Sequence, residues 1–395
     1  MTRRIAVFTG TRADYGLLSR LMRLIADDPT MELQVIAAAA HFAPHLGETW
    51  REIVTDGFDL AARIEIPMQD DSRQGTLHAL AACTHAMADA LVHLAPECLI
   101  LLGDRFEALA AAQSALILGI PIAHIHGGEI TEGAYDDAIR HAITKMATLH
   151  FVAAEPYRQR VLQMGTPPNR VFTVGAPGLD GILAGDAMPL AQVAQSLGFP
   201  LRPPFVLATY HTATQAGEDP VRGVGELLAA LETLPPDHQI LLTYPNADHG
   251  GQAIIAELDR FATAHPGRVL AVPSLGFKRY QSVMRHAAAV IGNSSSGIIE
   301  APSFRVPSVN IGGRQAGRLA ADSVRHCAPN RTAIAAALDW ALSDAGQSTA
   351  KTTRNPYGEG KASAAIHAIL ARAPLPRDLP FQDAIAHHPP AKADS

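Results

Sequence analysis

Cysteine is scarce in this chain: Cys83, Cys98 and Cys327 are the three in 395 residues, far apart and with no C-x-x-C pair. That spacing excludes a disulfide scaffold and a zinc framework, and it fits a reducing cytoplasm. Excess charge is lacking as well. Lys and Arg number 32 against 38 Asp and Glu, a net −6, so electrostatics gives no reason to expect nucleic acid or an anionic membrane as partner. Long apolar runs are missing too. The longest, near 108–125, is broken by Gln113, Ser114, Gly119 and Pro121, which excludes a membrane span there. The opening MTRRIAVFTG enters a polar loop after a short apolar run and reads as a first strand, not a secretion signal. Its loop, 10–16, lacks G-x-G-x-x-G, so a nicotinamide dinucleotide fingerprint is absent.

What is present suits a large globular protein: 48% hydrophobic and 18% charged residues over a length that favours two domains. Short apolar runs at 4–9, 32–39, 63–66, 99–102, 122–125, 150–153 and 170–174 alternate with helical segments, at 17–26, 76–93, 106–118 and 136–149 among them. Such alternation predicts a parallel, doubly wound sheet. A proline-rich connection, 176–204, leads to a second alternation with strands at 205–209, 239–243, 269–272, 288–291 and 307–311. The expected helices are 190–197, 221–233, 251–264, 277–286, 297–304, 332–342 and 362–373. We therefore expect an α/β protein of two Rossmann-like domains, 1–185 and 186–373, facing a cleft, with a disordered tail over 374–395.

Open α/β sheets keep their chemistry at the carboxyl ends of strands. Asp104, Arg105 and Glu107 follow the fourth run, where Asp104 could also merely cap a helix. His124, His126 and Glu129 follow the fifth. Histidines at i, i+2 share a strand face and admit a metal reading, yet no third ligand has metal spacing, so Glu129 as general acid or base is favoured. Asp136 and Asp137 open a helix with Arg140 and His141 one turn on, which alone would be an ordinary ion pair. Arg12 stands where backbone amides and a guanidinium can meet a diphosphate, against a plain helix entry capped by Asp14 or Thr11. In the second half, GNSSSG opens a helix with Ser294 and Ser295, an anion site or a capping box ending in Glu300.

The strings TGTRADYG, LLGDRFE, HIHGGE, the following YDD and IRHAITKMA, GNSSSGIIE and NPYGEG together resemble the hydrolysing UDP-N-acetylglucosamine 2-epimerases of sialic-acid and legionaminic-acid synthesis, over about 4–373. The resemblance implies a glycosyltransferase-B-type architecture, with the sugar held by the first domain and UDP by the second. It implies anti-elimination of UDP to a 2-acetamidoglucal, then hydration with inversion at C2, giving N-acetylmannosamine without a cofactor or a required metal. Asp104, Glu129 and Asp137 would be the acid–base carboxylates, with Asp136 as a substitute. Arg12, His211 and the Ser294–Ser295 turn would meet the departing diphosphate, with His211 in the catalytic set. Arg105 and Glu107 would hold the sugar or orient Asp104, and Asp180, Asn246, Ser294, Ser295, Glu300 and Arg314 would contact nucleotide or ribose. Thr212 follows His211, where the resemblance leads us to expect proline in many relatives. A homodimer or homotetramer is expected, with a UDP-sugar as partner. Alternatives are the same reaction on a UDP- or GDP-linked 2,4-diacetamido-2,4,6-trideoxyhexose, a glycosyltransferase, and a non-catalytic nucleotide-sugar sensor.

Overall fold

A computed structural model describes residues 2–44, 47–70, 72–132, 134–183, 187–212, 219–245 and 250–383. In the first domain β1 (Arg3–Thr9), α1 (Arg12–Ala26), β2 (Met31–Ala38), α2 (Trp50–Thr55), β3 (Leu60–Ile64) and α3 (Arg73–Leu94) come in that order. They are followed by β4 (Cys98–Leu102), α4 (Phe106–Ile117), β5 (Ile122–Ile125), α5 (Asp136–Met146), β6 (Leu149–Val152), α6 (Glu155–Gln163) and β7 (Val171–Thr173). The seven strands form one sheet in the order β3-β2-β1-β4-β5-β6-β7, and every pairing is parallel.

Two short helices, α7 (Asp180–Leu183) and α8 (Leu190–Leu197), lie in the connection. The second domain runs β8 (Phe205–Thr209), α9 (Pro220–Leu231), β9 (Gln239–Thr243), α10 (Gly251–Ala264), β10 (Val269–Val272), α11 (Gly276–His286), β11 (Ala289–Gly292) and α12 (Ser296–Ile299). It ends with β12 (Ser308–Ile311), β13 (Val324–Cys327), α13 (Arg331–Leu342), α14 (Asp344–Thr352) and α15 (Ala362–Leu370). Its parallel sheet has the order β10-β9-β8-β11-β12-β13. Runs such as Cys98–Leu102 and Phe205–Thr209 are apolar almost throughout because helices cover both faces of each sheet. In both domains the strand order reverses beside the first strand, between β1 and β4 and between β8 and β11. Ligands of open sheets sit at such switch points.

Several expectations shift. β3 starts three residues earlier than read, and β13 and α14 were not foreseen. Both β13 (VRHC) and α14 (DAGQSTAKT) carry too little apolar periodicity to announce themselves. The helix expected over 297–304 is one α turn, α12, followed by a 3-10 turn, Ala301–Phe304, that contains Pro302. The tail is not wholly loose. Arg170 donates to the Asp378 carbonyl at 2.8 Å, and the Gln382 amide donates to the Gly165 carbonyl at 2.9 Å.

The last helix returns to the first domain. Ile366 and Leu370 of α15 pack in the same core as Ile5, Leu18 and Phe151, and Arg3 donates to the Ala373 carbonyl at 3.0 Å. Asp180 starts this helix: its carboxylate accepts from the Ala362 and Ser363 amides at 2.9 and 2.6 Å. Buried and engaged in this way, Asp180 serves as a clasp between the connection and α15, where a nucleotide contact had been expected. Among the described residues no helix is long and apolar enough to cross a membrane.

Candidate active site

The first wall of the cleft is assembled at the ends of β1, β4 and β5. At the β1 end, Thr11 and Asp14 form a complete capping box on α1, so the plain helix-entry reading is realised in full. Arg12 remains for other work. It is half-buried near Glu52, Tyr280 and Arg279, the last two from the second domain. Burial lowers its pKa, against the pull of Glu52. Asp14 has its carboxyl pushed up to about 6, by burial first, then with Glu107 adding to the rise and Arg105 opposing it. Glu107 is fully buried, receives Arg105 Nε at 3.1 Å and lies against Gly10, where a Cβ would come within 3.3 Å of Oε1. These two residues thus form a brace beneath the Asp104 turn.

Arg140 is the hub of the wall. Its side chain is 1% exposed and forms an ion pair with Asp104, which is 21% exposed. It also donates to Thr131 Oγ1 at 2.8 Å and lies 3.7 Å from Asp137 Oδ1. Asp137 accepts from the Thr131 amide at 2.6 Å and has His141 Nε2 at 3.5 Å from its other oxygen. A buried guanidinium therefore aims two partly exposed carboxylates, which a surface i, i+3 pair would not do. Asp136 lies beside Asp137 in the first turn of α5 and is half-buried.

The two histidines of β5 part company. His124 is held between the Gly103 carbonyl, 2.7 Å from Nε2, and Thr144 Oγ1, 3.2 Å from Nδ1. Burial drives its pKa down to about 4, so it is a neutral strut. His126 leaves the strand with φ +65°, a left-handed conformation costly for a non-glycine residue, and its Nδ1 turns onto Glu129 Oε1. The alternation assumed for i, i+2 histidines therefore fails at His126. Among the described residues no three His, Cys, Asp or Glu side chains gather as a metal set.

Glu129 is completely buried, and its second oxygen forms an ion pair with Arg318 Nη1 at 2.8 Å. Burial raises a carboxyl pKa, but Arg318 and His126 outweigh it and hold Glu129 below its ordinary value. Arg318 comes from the second domain. Beside it the Leu319 amide donates to Tyr157 Oη and the Leu319 carbonyl accepts from Tyr357 Oη, both at 3.0 Å. The two hydroxyls are 2.9 Å apart.

The second wall stands at the ends of β8 and β11. Asn293 grips the His211 backbone from both sides, accepting from its amide at 2.6 Å and donating to its carbonyl at 2.7 Å. Arg314 Nη1 and Gln315 Nε2 both donate to the Asn293 carbonyl, at 3.1 and 3.0 Å. Ser294, Ser295 and Ser296 are half-buried; Ser296 Oγ lies 3.1 Å from Ser294 Oγ and 2.7 Å from Tyr280 Oη. With only one α turn behind them, they carry local amides and hydroxyls without a long-helix dipole. Asn246 lies outside the described residues.

Glu300 lies against Gly178 of the connection, and its buried Oε2 has no hydrogen-bond partner among the described residues. Burial pushes its carboxyl up to about 7, with Arg318 opposing. A raised folded pKa on a carboxyl means the native state prefers the proton. The stability this gives is fully present below the unfolded value and is lost as pH rises through about 7. Glu300→Gln is therefore expected to gain in melting temperature relative to wild type between pH 5 and pH 8 without nucleotide, about 4–8 °C at most for a domain of this size. An equal difference at both pH values contradicts the assignment.

The structure brings Asp104, Arg105, Glu107, Glu129, Asp136 and Asp137 to one wall, and His211, Ser294, Ser295 and Arg314 to the other. Sequence reasoning missed Arg318, Tyr157, Tyr280 and Asn293 as members, and gave Tyr357 no role. GGRQAGR holds two arginines four residues apart, Arg314 and Arg318, and only the first was singled out.

The family model described as UDP-N-acetylglucosamine 2-epimerase matches residues 23–371. The chain is 36% identical to the GDP/UDP-N,N'-diacetylbacillosamine 2-epimerase (hydrolyzing) of Campylobacter jejuni, over 82% of this chain and 83% of that one. It is 34% identical to the UDP-N,N'-diacetylbacillosamine 2-epimerase (hydrolyzing) of Legionella pneumophila, over 95% and 97%. Among solved structures, the UDP-GlcNAc 2-epimerase of Neisseria meningitidis bound to UDP-GlcNAc superposes with a TM-score of 0.76 at 17% identity, over 93% of this chain and 99% of that one. At that identity the superposition speaks for the fold alone.

Proposed function

We propose, for a chain that belongs to the UDP-N-acetylglucosamine 2-epimerase family, a hydrolysing 2-epimerase activity on a nucleotide-linked 2-acetamido sugar. The observation that carries this is the set of carboxylates Asp104, Asp137 and Glu129, the first two held by the buried Arg140 and the third by Arg318 from the second domain. The proton at C2 is only weakly acidic, so its removal needs a positioned carboxylate. As the C2–H electrons form the C1=C2 bond, the C1–O bond breaks and its electrons leave with the nucleoside diphosphate. Arg12, His211 and the Ser294–Ser295 turn take up that charge. Water then adds at C1, and a carboxyl on the opposite face returns a proton to C2. Sugar and nucleotide leave separately, and no net oxidation occurs.

Between the two candidate sugars, the names of the Campylobacter and Legionella relatives favour a 2,4-diacetamido-2,4,6-trideoxyhexose over N-acetylglucosamine. Side-by-side turnover of the two nucleotide sugars is expected to show kcat/KM at least about tenfold higher for the diacetamido sugar, the discrimination that one or two pocket contacts supply. Equal turnover, or preference for N-acetylglucosamine, rejects that choice of substrate and leaves the reaction type standing.

A further inference from the structure

We infer that the 312–319 loop couples the nucleotide wall to the acid–base wall, with Arg318 as the positioning residue for Glu129 across the cleft; this rests on the nucleotide and sugar sides proposed above. One part of the loop belongs to the nucleotide wall, where Arg314 and Gln315 both hold the Asn293 carbonyl. A few residues on, the same loop crosses to the first domain. The Glu132 amide donates to the Ala316 carbonyl at 3.2 Å, and Arg318 meets Glu129 at 2.8 Å. The fit between them is tight. Gly317 has φ +84°, and a Cβ there would come 2.5 Å from Ile130 Cγ2.

The groups that face Glu129 are His124 and His126 from β5 and its turn, Tyr157 from α6, Tyr357 after α14, and Arg318. Of these, Arg318 alone carries a permanent charge, and it is delivered by the second domain. If the loop withdraws, Glu129 loses its fixed counter-charge, and a carboxylate still lined by His124, His126 and Tyr157 takes up a proton more readily. Closure of the nucleotide wall thereby sets Glu129 in its ionised, oriented form. Arg318 acts through Glu129 and is not itself assigned contact with the sugar.

Hydrogen exchange over 126–132, with and without UDP, tests this without depending on the identity of the sugar. In the wild type UDP is expected to slow exchange there at least about tenfold, and in Arg318→Gln less than about threefold, with Arg318→Lys between them. With turning-over substrate, Arg318→Gln is expected to lower kcat about 30-fold with KM nearly unchanged, and to move the acidic limb of the kcat–pH profile up by about one pH unit. Arg318→Lys should bring the limb back toward wild type, which a merely structural role does not predict. Protection by UDP that is equal in wild type and Arg318→Gln overturns the coupling, as does a loss of kcat with an unmoved limb. UDP that binds the wild type without protecting 126–132 removes the coupling alone. Absence of UDP binding removes the nucleotide site itself, and the coupling with it.

Discussion

Asp104→Asn lowers kcat by about 10³-fold while UDP affinity stays within about threefold of wild type, the expected loss for a group that moves a proton in the transition state. Asparagine matches the size of aspartate and still offers Arg140 a carbonyl oxygen, so the buried guanidinium is not left empty-handed. Asp137, 3.7 Å from the same guanidinium, also remains in place. What disappears is a negative charge and a proton acceptor at a position 21% exposed to the cleft. Apart from Arg12, the groups assigned to the nucleotide lie on the opposite domain, so calorimetric titration with UDP separates the two effects. A kcat within threefold of wild type removes Asp104 from the chemistry. Loss of UDP affinity in parallel with kcat shows instead that the Asp104–Arg140 pair organises the whole cleft.

Gly292→Ala is expected to abolish UDP binding and to destabilise the second domain. Gly292 has φ +136°, and a Cβ there would lie 1.8 Å from the Thr209 carbonyl oxygen and 2.7 Å from its carbon. Thr209 pairs with Gly292 in the β8–β11 ladder, and its carbonyl accepts from the Asn293 amide at 3.1 Å. The clash is therefore with sheet backbone, which yields only by breaking the ladder that aims Asn293 and Ser294. Backbone strain of 1–3 kcal/mol together with overpacking of similar size gives a cost of about 3 kcal/mol or more. Melting should fall by roughly 6–12 °C for a domain of this size. A variant that melts within about 1 °C of wild type and binds UDP normally contradicts the strand-end geometry.

Much of the fold could be read in the chain because its strands are short, apolar and closed by polar loops. The runs at 98–102, 205–209 and 239–243 need no partner information to be recognised as buried strands. β13 and α14 escaped for the opposite reason: each presents a mixed face to its neighbours, and tertiary packing decides its state. The same division holds in the site. Asp104 and Glu129 could be singled out by their place just after apolar strands, which is a local signal, and Asp137 by its place at a helix start beside Asp136. Arg318 did not, because its meaning lies in a contact with a residue 189 positions earlier, on another domain. Asp180 was named through the family resemblance alone, and its role as the acceptor for the Ala362 and Ser363 amides of α15 has no local sequence signal, because those amides lie 182 and 183 positions later. His126 escaped in another way, since a left-handed backbone at a non-glycine position leaves no trace in residue type.

The central claim is that carboxylates of the first wall remove and return a proton at C2 of a nucleotide-linked sugar. Turnover in heavy water, followed by NMR of the released sugar, tests it most directly. The expected result is a free 2-epimeric sugar carrying about one deuterium at C2, with UDP released in equal amount, as removal by one carboxyl and return by another require. A 2-epimeric product with hydrogen retained at C2, or release of the sugar with its C2 configuration unchanged, would contradict it.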